Sequence, residues 1–325
     1  MDQSLRAEGR DAGPVDGGKP IVDVEMGVAP RRAPARIFSR RILGQCAEAG
    51  GVYLAWGLFA ILPLDVASAL GGWVGRRIGP LLKVSRKARH NLQRAFPEKE
   101  AGEISAILTQ VWDNVGRVVA EFPHLKRIAA ERLDIVGGHH VAALRDDGRP
   151  GFLVSAHFGG WELSGAIAAR LGLPVHVVYR AANNPWVETL FRKGRGVAAE
   201  SFIPKGAEGA RRMVEVMRDG GHVGMLVDQK MNDGIAVPFM GRDAMTAPAV
   251  ARLALKFRCP IVAGRIERLG GAYFRATLEP PIPLPDSGDH QQDVHDVMVH
   301  VNATVERWVR AQPGQWLWLH RRWPD

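Results

Sequence analysis

The chain has 325 residues, 46% of them hydrophobic and 24% charged, with a net charge of +9 and a pI of about 10.0. That is a globular composition, long enough for one large domain or two small ones, and its charge asks for an anionic partner: a membrane surface, a phosphorylated substrate, an acidic protein or nucleic acid. The two cysteines, Cys46 and Cys259, lie far apart in the sequence, which excludes a disulfide framework and points to a reducing compartment.

Residues 1–35 are rich in Gly, Asp, Pro and Arg without apolar periodicity. They are expected to be disordered, and with no prompt apolar region they do not form a secretory signal. A basic arm is therefore assigned to 1–41. Arg31, Arg32, Arg36, Arg40 and Arg41 precede an uncharged run from Ala49 to Leu64. As a helix that run reaches about 24 Å, short of the roughly 30 Å hydrocarbon core. Extension back to Ile42 gives a spanning length but takes in Glu48. Tyr53 and Trp56 are interfacial residue types, and Arg76, Arg77, Lys83, Arg86, Lys87 and Arg89 follow. Residues 42–90 thus read as a membrane anchor, spanning or half-inserted, with a basic juxtamembrane segment. A buried core helix is the competing reading. Cations on both flanks leave the orientation unset.

The remainder, 91–325, is expected to be the working domain. Asn91–Leu133 reads as amphipathic helices, with Ile104, Leu108, Val111, Val115 and Val118 at helical spacing. Gly151–Glu162, GFLVSAHFGGWE, is the stretch on which the chemistry turns. Phe152–Val154 reads as a buried strand, His157 ends it, Gly159 and Gly160 bend the chain, and a helix begins near Trp161. A histidine at the carboxyl end of a strand stands where open α/β sheets place their chemistry. Five residues on one helix subtend about 140°, so His157 and Glu162 meet only with the histidine in the turn and the glutamate in the first helical turn. Glu162 would then fix the imidazole tautomer, and the other ring nitrogen would act as general base. The helix N-terminus would disfavour imidazolium and offer free N–H groups to an oxyanion. The competing reading is a histidine that merely ends a strand.

Further apolar runs, Val175–Tyr179 before Arg180 and Val223–Val227 before Asp228, read as strands. Helices are expected from Asn184-Pro185, over Ala207–Asp219, from Thr246 as N-cap through Lys256, and over Asp293–Arg310. Ile261–Ile266 and Tyr273–Leu278 flank a Gly-containing turn and suit a hairpin. The fold class is α/β: a mixed, mostly parallel sheet flanked by helices, with His157, Arg180 and Asp228 along one edge. Gly194–Ala199 fits G-x-G-x-x-A but follows no strand, so a dinucleotide site is not assigned. His157, Glu162 and Asp228 lack a second histidine for zinc, and no metal is assigned. The basic residues are not interleaved with aromatics, so no nucleic-acid partner is assigned. Trp316, Trp318 and Trp323 read as core packing.

The block from His157 to Glu162 resembles the H-x4-D/E motif of the glycerolipid acyltransferase superfamily. More narrowly, the chain resembles the late acyltransferases of lipid A, the lauroyl- and myristoyl-transferase family. Four further blocks carry the likeness: Arg89–Leu92 with Phe96-Pro97-Glu98; Tyr179-Arg180, Asn183-Asn184-Pro185 and Arg195; Leu226–Gln229 with Val237–Gly241 and Thr246; and Trp318–Trp323. The likeness spans about residues 45–325. It departs from the family at Lys230-Met231-Asn232, which intervene before Asp233-Gly234, and in the long N-terminal arm. It implies a glycerolipid acyltransferase-like fold and transfer of an acyl chain from acyl carrier protein to a hydroxyl on a hydroxyacyl chain of a Kdo-bearing lipid A precursor. The site would be the cytoplasmic face of a bacterial inner membrane, with no metal or redox cofactor. By the resemblance His157, Glu162, Arg195 and Asp228 would be catalytic, with Arg195 pairing either Asp228 or a substrate phosphate. Arg180, Asn184, Gln229, Phe239 and Gly241 would contact substrate. Other acceptors, a different glycolipid or a lysolipid, and a non-enzymatic membrane-surface role are the alternatives. Chain length would be measured in a dead-ended apolar slot, with Trp112 and Trp161 as candidate stops.

Overall fold

The computed structural model describes residues 40–195 and 199–323. The arm assigned to 1–41 lies almost wholly outside the described residues. In chain order the elements are α1 (Arg40–Ile61), α2 (Leu64–Ile78), α3 (Val84–Ala95), α4 (Ala101–Glu121), α5 (Leu125–Glu131), β1 (Leu133–Val136), α6 (Gly138–Asp146) and β2 (Gly151–Ser155). Then come α7 (Ser164–Arg170), β3 (Val175–Tyr179), α8 (Pro185–Arg195), β4 (Ser201–Pro204), α9 (Ala207–Arg218) and β5 (His222–Leu226). The hairpin β6 (Lys230–Phe239) and β7 (Arg242–Thr246) precedes α10 (Ala249–Phe257), β8 (Ile261–Gly270), β9 (Tyr273–Leu278) and α11 (His290–Ala311).

Seven strands form one sheet in the order β1-β9-β8-β2-β5-β3-β4. The run from β8 to β4 is parallel; β9 turns back against β8, and β1 runs parallel to β9. The mixed, mostly parallel α/β sheet expected from the strand–helix alternation is present, including the hairpin of β8 and β9. Because successive strand side chains point to opposite faces, β2 sends Phe152 and Val154 into one apolar layer and Leu153 into the other. The first layer gathers Trp112 of α4, Val297 and Trp308 of α11, and Trp316, Trp318 and Trp323. The second gathers Leu125 of α5, Ile167 of α7 and Phe274 of β9.

Local chemistry sets the helix starts. Glu100 and Glu103 form a capping box on α4, and the Asp289 carboxylate accepts the N–H groups of Gln291 and Gln292 at the start of α11. The β6–β7 turn places Met240 and Gly241 at φ 54° and 73°, the left-handed pair that a two-residue hairpin turn requires. Thr246 is not the N-cap of α10: it ends β7, and its hydroxyl bonds the Ala244 carbonyl. Pro248, with no N–H to leave unsatisfied, occupies the cap position instead.

The N-terminal helices do not support the spanning form of the anchor reading. Among the described residues no helix is long and apolar enough to cross a membrane. The reason lies in α1, where Arg40, Arg41, Glu48 and four glycines dilute the apolar run. Its neighbour α2 lies directly on α4. A Cβ at Gly71 would meet the Gly116 carbonyl at 2.4 Å, and one at Gly75 would meet the Trp112 carbonyl at 2.0 Å. The two backbones touch because there is no side chain between them. From α4, Asn114 donates its amide to the Gly159 carbonyl at 3.0 Å, which ties this helix pair to the turn after β2.

Candidate active site

β2 and β5 are neighbours in parallel register, with Ser155 opposite Leu226. One further ladder bond, Val227 N–H to the Ser155 carbonyl at 2.9 Å, carries the pairing past the strands. His157 and Asp228 each stand two residues beyond the paired ends, so register alone brings them together. The His157 Nδ1–H donates to Asp228 Oδ1 at 2.8 Å, and the His157 backbone N–H donates to Oδ2 at 3.0 Å. A third donor, Trp316 Nε1, reaches the same Oδ2 at 2.8 Å. The Asp228 side chain is fully buried and that of His157 is 17% exposed.

Glu162 does not orient the imidazole. The chain after Gly160 makes a 3₁₀ turn, Trp161–Leu163, before α7 begins, and this carries the carboxylate away from His157. There it meets Arg195, the last residue of α8, in a two-pronged pair of 2.8 and 3.0 Å. Arg195 therefore pairs with Glu162 and not with Asp228. Its guanidinium rests over the Tyr179 ring, 4.8 Å from the centroid. The zinc set is not assembled either, since Glu162 is committed to Arg195, and among the described residues no three His, Cys, Asp or Glu side chains converge as metal ligands.

Two backbone donors of the turn before α7 are committed elsewhere. Gly159 N–H bonds the Gln315 carbonyl at 2.9 Å and Gly160 N–H the Ile266 carbonyl at 3.0 Å. The donors that do border the histidine are side chains. Gln229 Nε2 lies 3.5 Å from His157 Nε2, and Lys205 Nζ donates to Gln229 Oε1 at 2.8 Å. Arg180 is exposed just past β3 on this edge and interacts electrostatically with Lys205.

Three residues with expected substrate contacts lie elsewhere. The Asn184 amide faces α1, donating to the Gln45 carbonyl and the Glu48 carboxylate, while its oxygen caps the Trp186 N–H. Phe239 is buried between Trp316 and Trp323, and Gly241 sits in the hairpin turn. Of the two candidate stops, Trp112 is core packing that donates to Ser85 Oγ at 2.8 Å. Trp161 stands beside the dyad, its ring 5.9 Å from that of His157. Behind Glu162 lies a crevice lined by Val118, Leu125, Ile128, Leu163 and Phe274, with a free volume of only about 10 Å³.

Lys205, Trp316 and His320 are site neighbours that the sequence reading did not place at the site: Trp316 was read as core packing, and His320 entered only within a block of the family likeness. Lys205 follows β4 by the same strand-end rule that located His157 and Asp228, but β4 is a four-residue edge strand with little signal. The segment after α11 runs antiparallel beside the catalytic turn: Phe158 bridges Trp316, and Leu317 N–H bonds the His157 carbonyl. This course delivers Trp316 to Asp228 and the His320 ring to within 6.0 Å of the His157 ring.

The electrostatics follow from this packing. Burial opposes a charged imidazole, but the Asp228 carboxylate outweighs it, so His157 is a stronger base than ordinary histidine. This reverses the expectation that a helix terminus would disfavour imidazolium. Burial likewise opposes ionisation of Asp228, yet His157 holds its carboxyl well below the usual carboxylate range. Burial pushes His320 down, leaving it a neutral neighbour. With Nδ1–H committed to a carboxylate, the Nε2 lone pair faces the Gln229 amide and the open side of the site. Such an arrangement is chemically able to accept a proton at Nε2.

Residues 47–325 match the family model described as bacterial lipid A biosynthesis acyltransferase. The lauroyltransferase of lipid A biosynthesis from Escherichia coli K12 is 26% identical over 284 residues, 84% of this chain and 89% of that relative. The palmitoleoyltransferase from the same strain is 23% identical over 283 residues, covering 84% and 89%. The myristoyltransferase is 24% identical over 272 residues, covering 80% and 81%. A non-enzymatic role is set aside, and the chain belongs to the bacterial lipid A biosynthesis acyltransferase family, its acyl transfer serving lipid A biosynthesis.

Proposed function

We propose that this acyltransferase moves a fatty acyl chain from acyl carrier protein to a hydroxyl of a hydroxyacyl chain on a Kdo-bearing lipid A precursor. The observation that carries the mechanism is the His157–Asp228 pair, with Nδ1 locked and Nε2 facing outward. His157 Nε2 takes the acceptor hydroxyl proton as that oxygen attacks the thioester carbonyl. The tetrahedral intermediate places negative charge on the former carbonyl oxygen, within reach of the Gln229 amide and Lys205. Collapse breaks the C–S bond, and the imidazolium returns its proton to the departing thiolate. One ester and one thiol result, and the balance needs no metal or redox cofactor. Glu162 and Arg195 act together as a rigid brace at the side of the site, and Arg180 and Gln229 face the substrate.

The proposed setting is the cytoplasmic face of the bacterial inner membrane. Leu54 and Ile61 of α1, Trp73 of α2 and Leu81 beyond it are 76%, 80%, 51% and 82% exposed. Arg76, Arg77 and Lys83 accompany them. An apolar face with basic neighbours lies in the interface of an anionic bilayer without crossing it. The working unit is thus 91–325, with 42–90 as its membrane-facing part.

The test is reconstitution of the purified protein with the Kdo-bearing precursor and acyl thioesters of carrier protein or coenzyme A, with products read by mass spectrometry. One added acyl chain from the carrier-protein donor, absent with His157→Ala, is expected. Transfer only to another glycolipid or lysolipid, or only from coenzyme A, refutes the acceptor or the donor. Serine at Leu54, Ile61 and Leu81 should lower partition onto phosphatidylglycerol vesicles; unchanged partition refutes the membrane face.

A further inference from the structure

A second cavity, of about 310 Å³, is lined by Arg86, Lys87, His90, Asn91 and Arg94 of α3, by Arg242 of the β6–β7 hairpin, and by Arg321 and Trp323. Its wall follows from helix geometry. Residues 86, 90 and 94 recur every four positions and 87, 91 and 94 fall among them, so these side chains share one side of α3. The other side buries Ser85, Ala88, Leu92 and Ala95. Among the described residues no carboxylate lines the cavity.

Arg86, Lys87, Arg94 and Arg242 bring like charges together here, and like charges repel one another. Arg242 shows the cost: desolvation, with the nearby charge of Arg94, holds its guanidinium below the usual arginine range. One of its terminal nitrogens is buried and makes no hydrogen bond among the described residues. Arg94 rests against the His90 ring nitrogen, at 3.3 Å. A bound anion would satisfy these donors and remove the repulsion.

The cavity is joined to the catalytic turn. The Asn91 amide donates to the carbonyls of Trp318 and His320, at 3.1 and 3.0 Å. The His320 ring in turn lies 6.0 Å from that of His157. A single residue therefore separates the two sites.

We propose that this cavity is a phosphate subsite: it takes a phosphate monoester on the headgroup of the acceptor and so presents the acceptor hydroxyl to His157. This rests on the acceptor being a lipid A precursor, as proposed above. A concave site of this size with a tryptophan wall suits a compact anion on a sugar better than the convex surface of a carrier protein.

The experiment uses the full chain, the Lys87→Ala/Arg94→Ala double variant, Arg242→Gln, and Arg211→Ala on the exposed face of α9 as a surface control that removes one charge away from the cavity. Lys87 and Arg94 are exposed, so these variants are expected to fold. The KM for the phosphorylated acceptor should rise by at least about tenfold in the double variant, which deletes two of the lining cations. The donor KM should stay put, and the difference should vanish with phosphatase-treated acceptor. Isothermal titration with inorganic phosphate should give binding in the wild type and Arg211→Ala, and loss in the double variant and Arg242→Gln. Equal KM values for wild type and double variant, or the same rise with both acceptor forms, overturn the proposal. Displacement of phosphate by phosphatidylglycerol vesicles but not by the phosphorylated acceptor overturns it in favour of a bilayer contact. Should the wild type acylate no lipid A precursor, the acceptor reading falls by itself, and the phosphate titration still decides whether the cavity binds phosphate.

Discussion

Replacement of Asp228 by Asn separates the observed dyad from the local one that sequence spacing suggests. Asp228 Oδ2 accepts two N–H groups, from the His157 backbone and Trp316, while Oδ1 faces only the His157 ring. An asparagine keeps its oxygen where two donors demand an acceptor, so its NH₂ falls opposite His157 Nδ1. The ring must then accept at Nδ1 and carry its proton on Nε2, which abolishes the base. Loss of the charge-assisted bond costs about 1.5–3 kcal/mol, and the inverted tautomer a further ~1–3 kcal/mol. Together these predict a fall in kcat/KM of roughly 10²–10⁴-fold, at 1.36 kcal/mol per decade. The fold should survive, because the two buried donors keep their acceptor. Glu162→Gln keeps one acceptor for Arg195 and lies off the proton path, so it should cost less than about tenfold in rate. The assay is acyl transfer from a carrier-protein thioester, followed by mass spectrometry, with circular dichroism to verify folding. If Glu162→Gln falls further than Asp228→Asn, or if Asp228→Asn stays within tenfold of wild type, the dyad assignment is wrong.

The acid limb of kcat/KM should lie above the ordinary histidine pKa of about 6.5, because catalysis needs neutral His157 and Asp228 raises its pKa; a midpoint at or below that value counts against the pairing. Stability should follow the same pair. The raised His157 contributes fully below about pH 6.5 and loses its contribution as pH rises through its folded value, whereas the depressed Asp228 contributes above about pH 4 and loses it as pH falls. A Tm profile should therefore peak between these limits and flatten there in Asp228→Asn. Trp316→Phe deletes one donor to the carboxylate, leaving Asp228 a stronger acceptor for the imidazolium, so it should lower kcat/KM by about tenfold, roughly 1.4 kcal/mol, while shifting the acid limb upward; an unmoved pH profile would assign Trp316 to packing alone. Gly159→Ala places a Cβ 1.9 Å from the Ile266 carbonyl at φ 53° and should abolish soluble expression or activity, as measured by yield and turnover.

Much of the sheet was legible because buried parallel strands are short, apolar and β-branched. Phe152–Val154, Val175–Tyr179 and Ile261–Ile266 all announced themselves in this way, and so did the polar residues that end them. The partner of His157 was not legible. Nearness in sequence favoured Glu162, but a 3₁₀ turn redirects that carboxylate, while strand register brings in Asp228 from 71 residues away. Periodicity reports the direction of a side chain within its own element and not the register between elements. The β6–β7 hairpin was hidden by the polar stretch Lys230–Gly234, and Phe239 at the end of β6 and Gly241 in its turn were read as substrate contacts. Trp316 looked like core packing, and it is; the additional bond of its indole N–H depends on where an irregular segment passes.

The bare contact between α2 and α4 has a mechanical consequence. With backbone against backbone at Gly71, Gly75 and Gly116, there is no layer of side chains to shear. The exposed Trp73 of α2, α4 and the Gly159 carbonyl held by Asn114 form one stiff linkage. On the proposed membrane orientation, the depth at which that tryptophan settles among the lipid headgroups also sets the height of the catalytic turn above them. Reach to the acceptor hydroxyl is then a fixed dimension of the protein, and a bulkier residue at any of the three glycines would act as a spacer that moves the base away from its target.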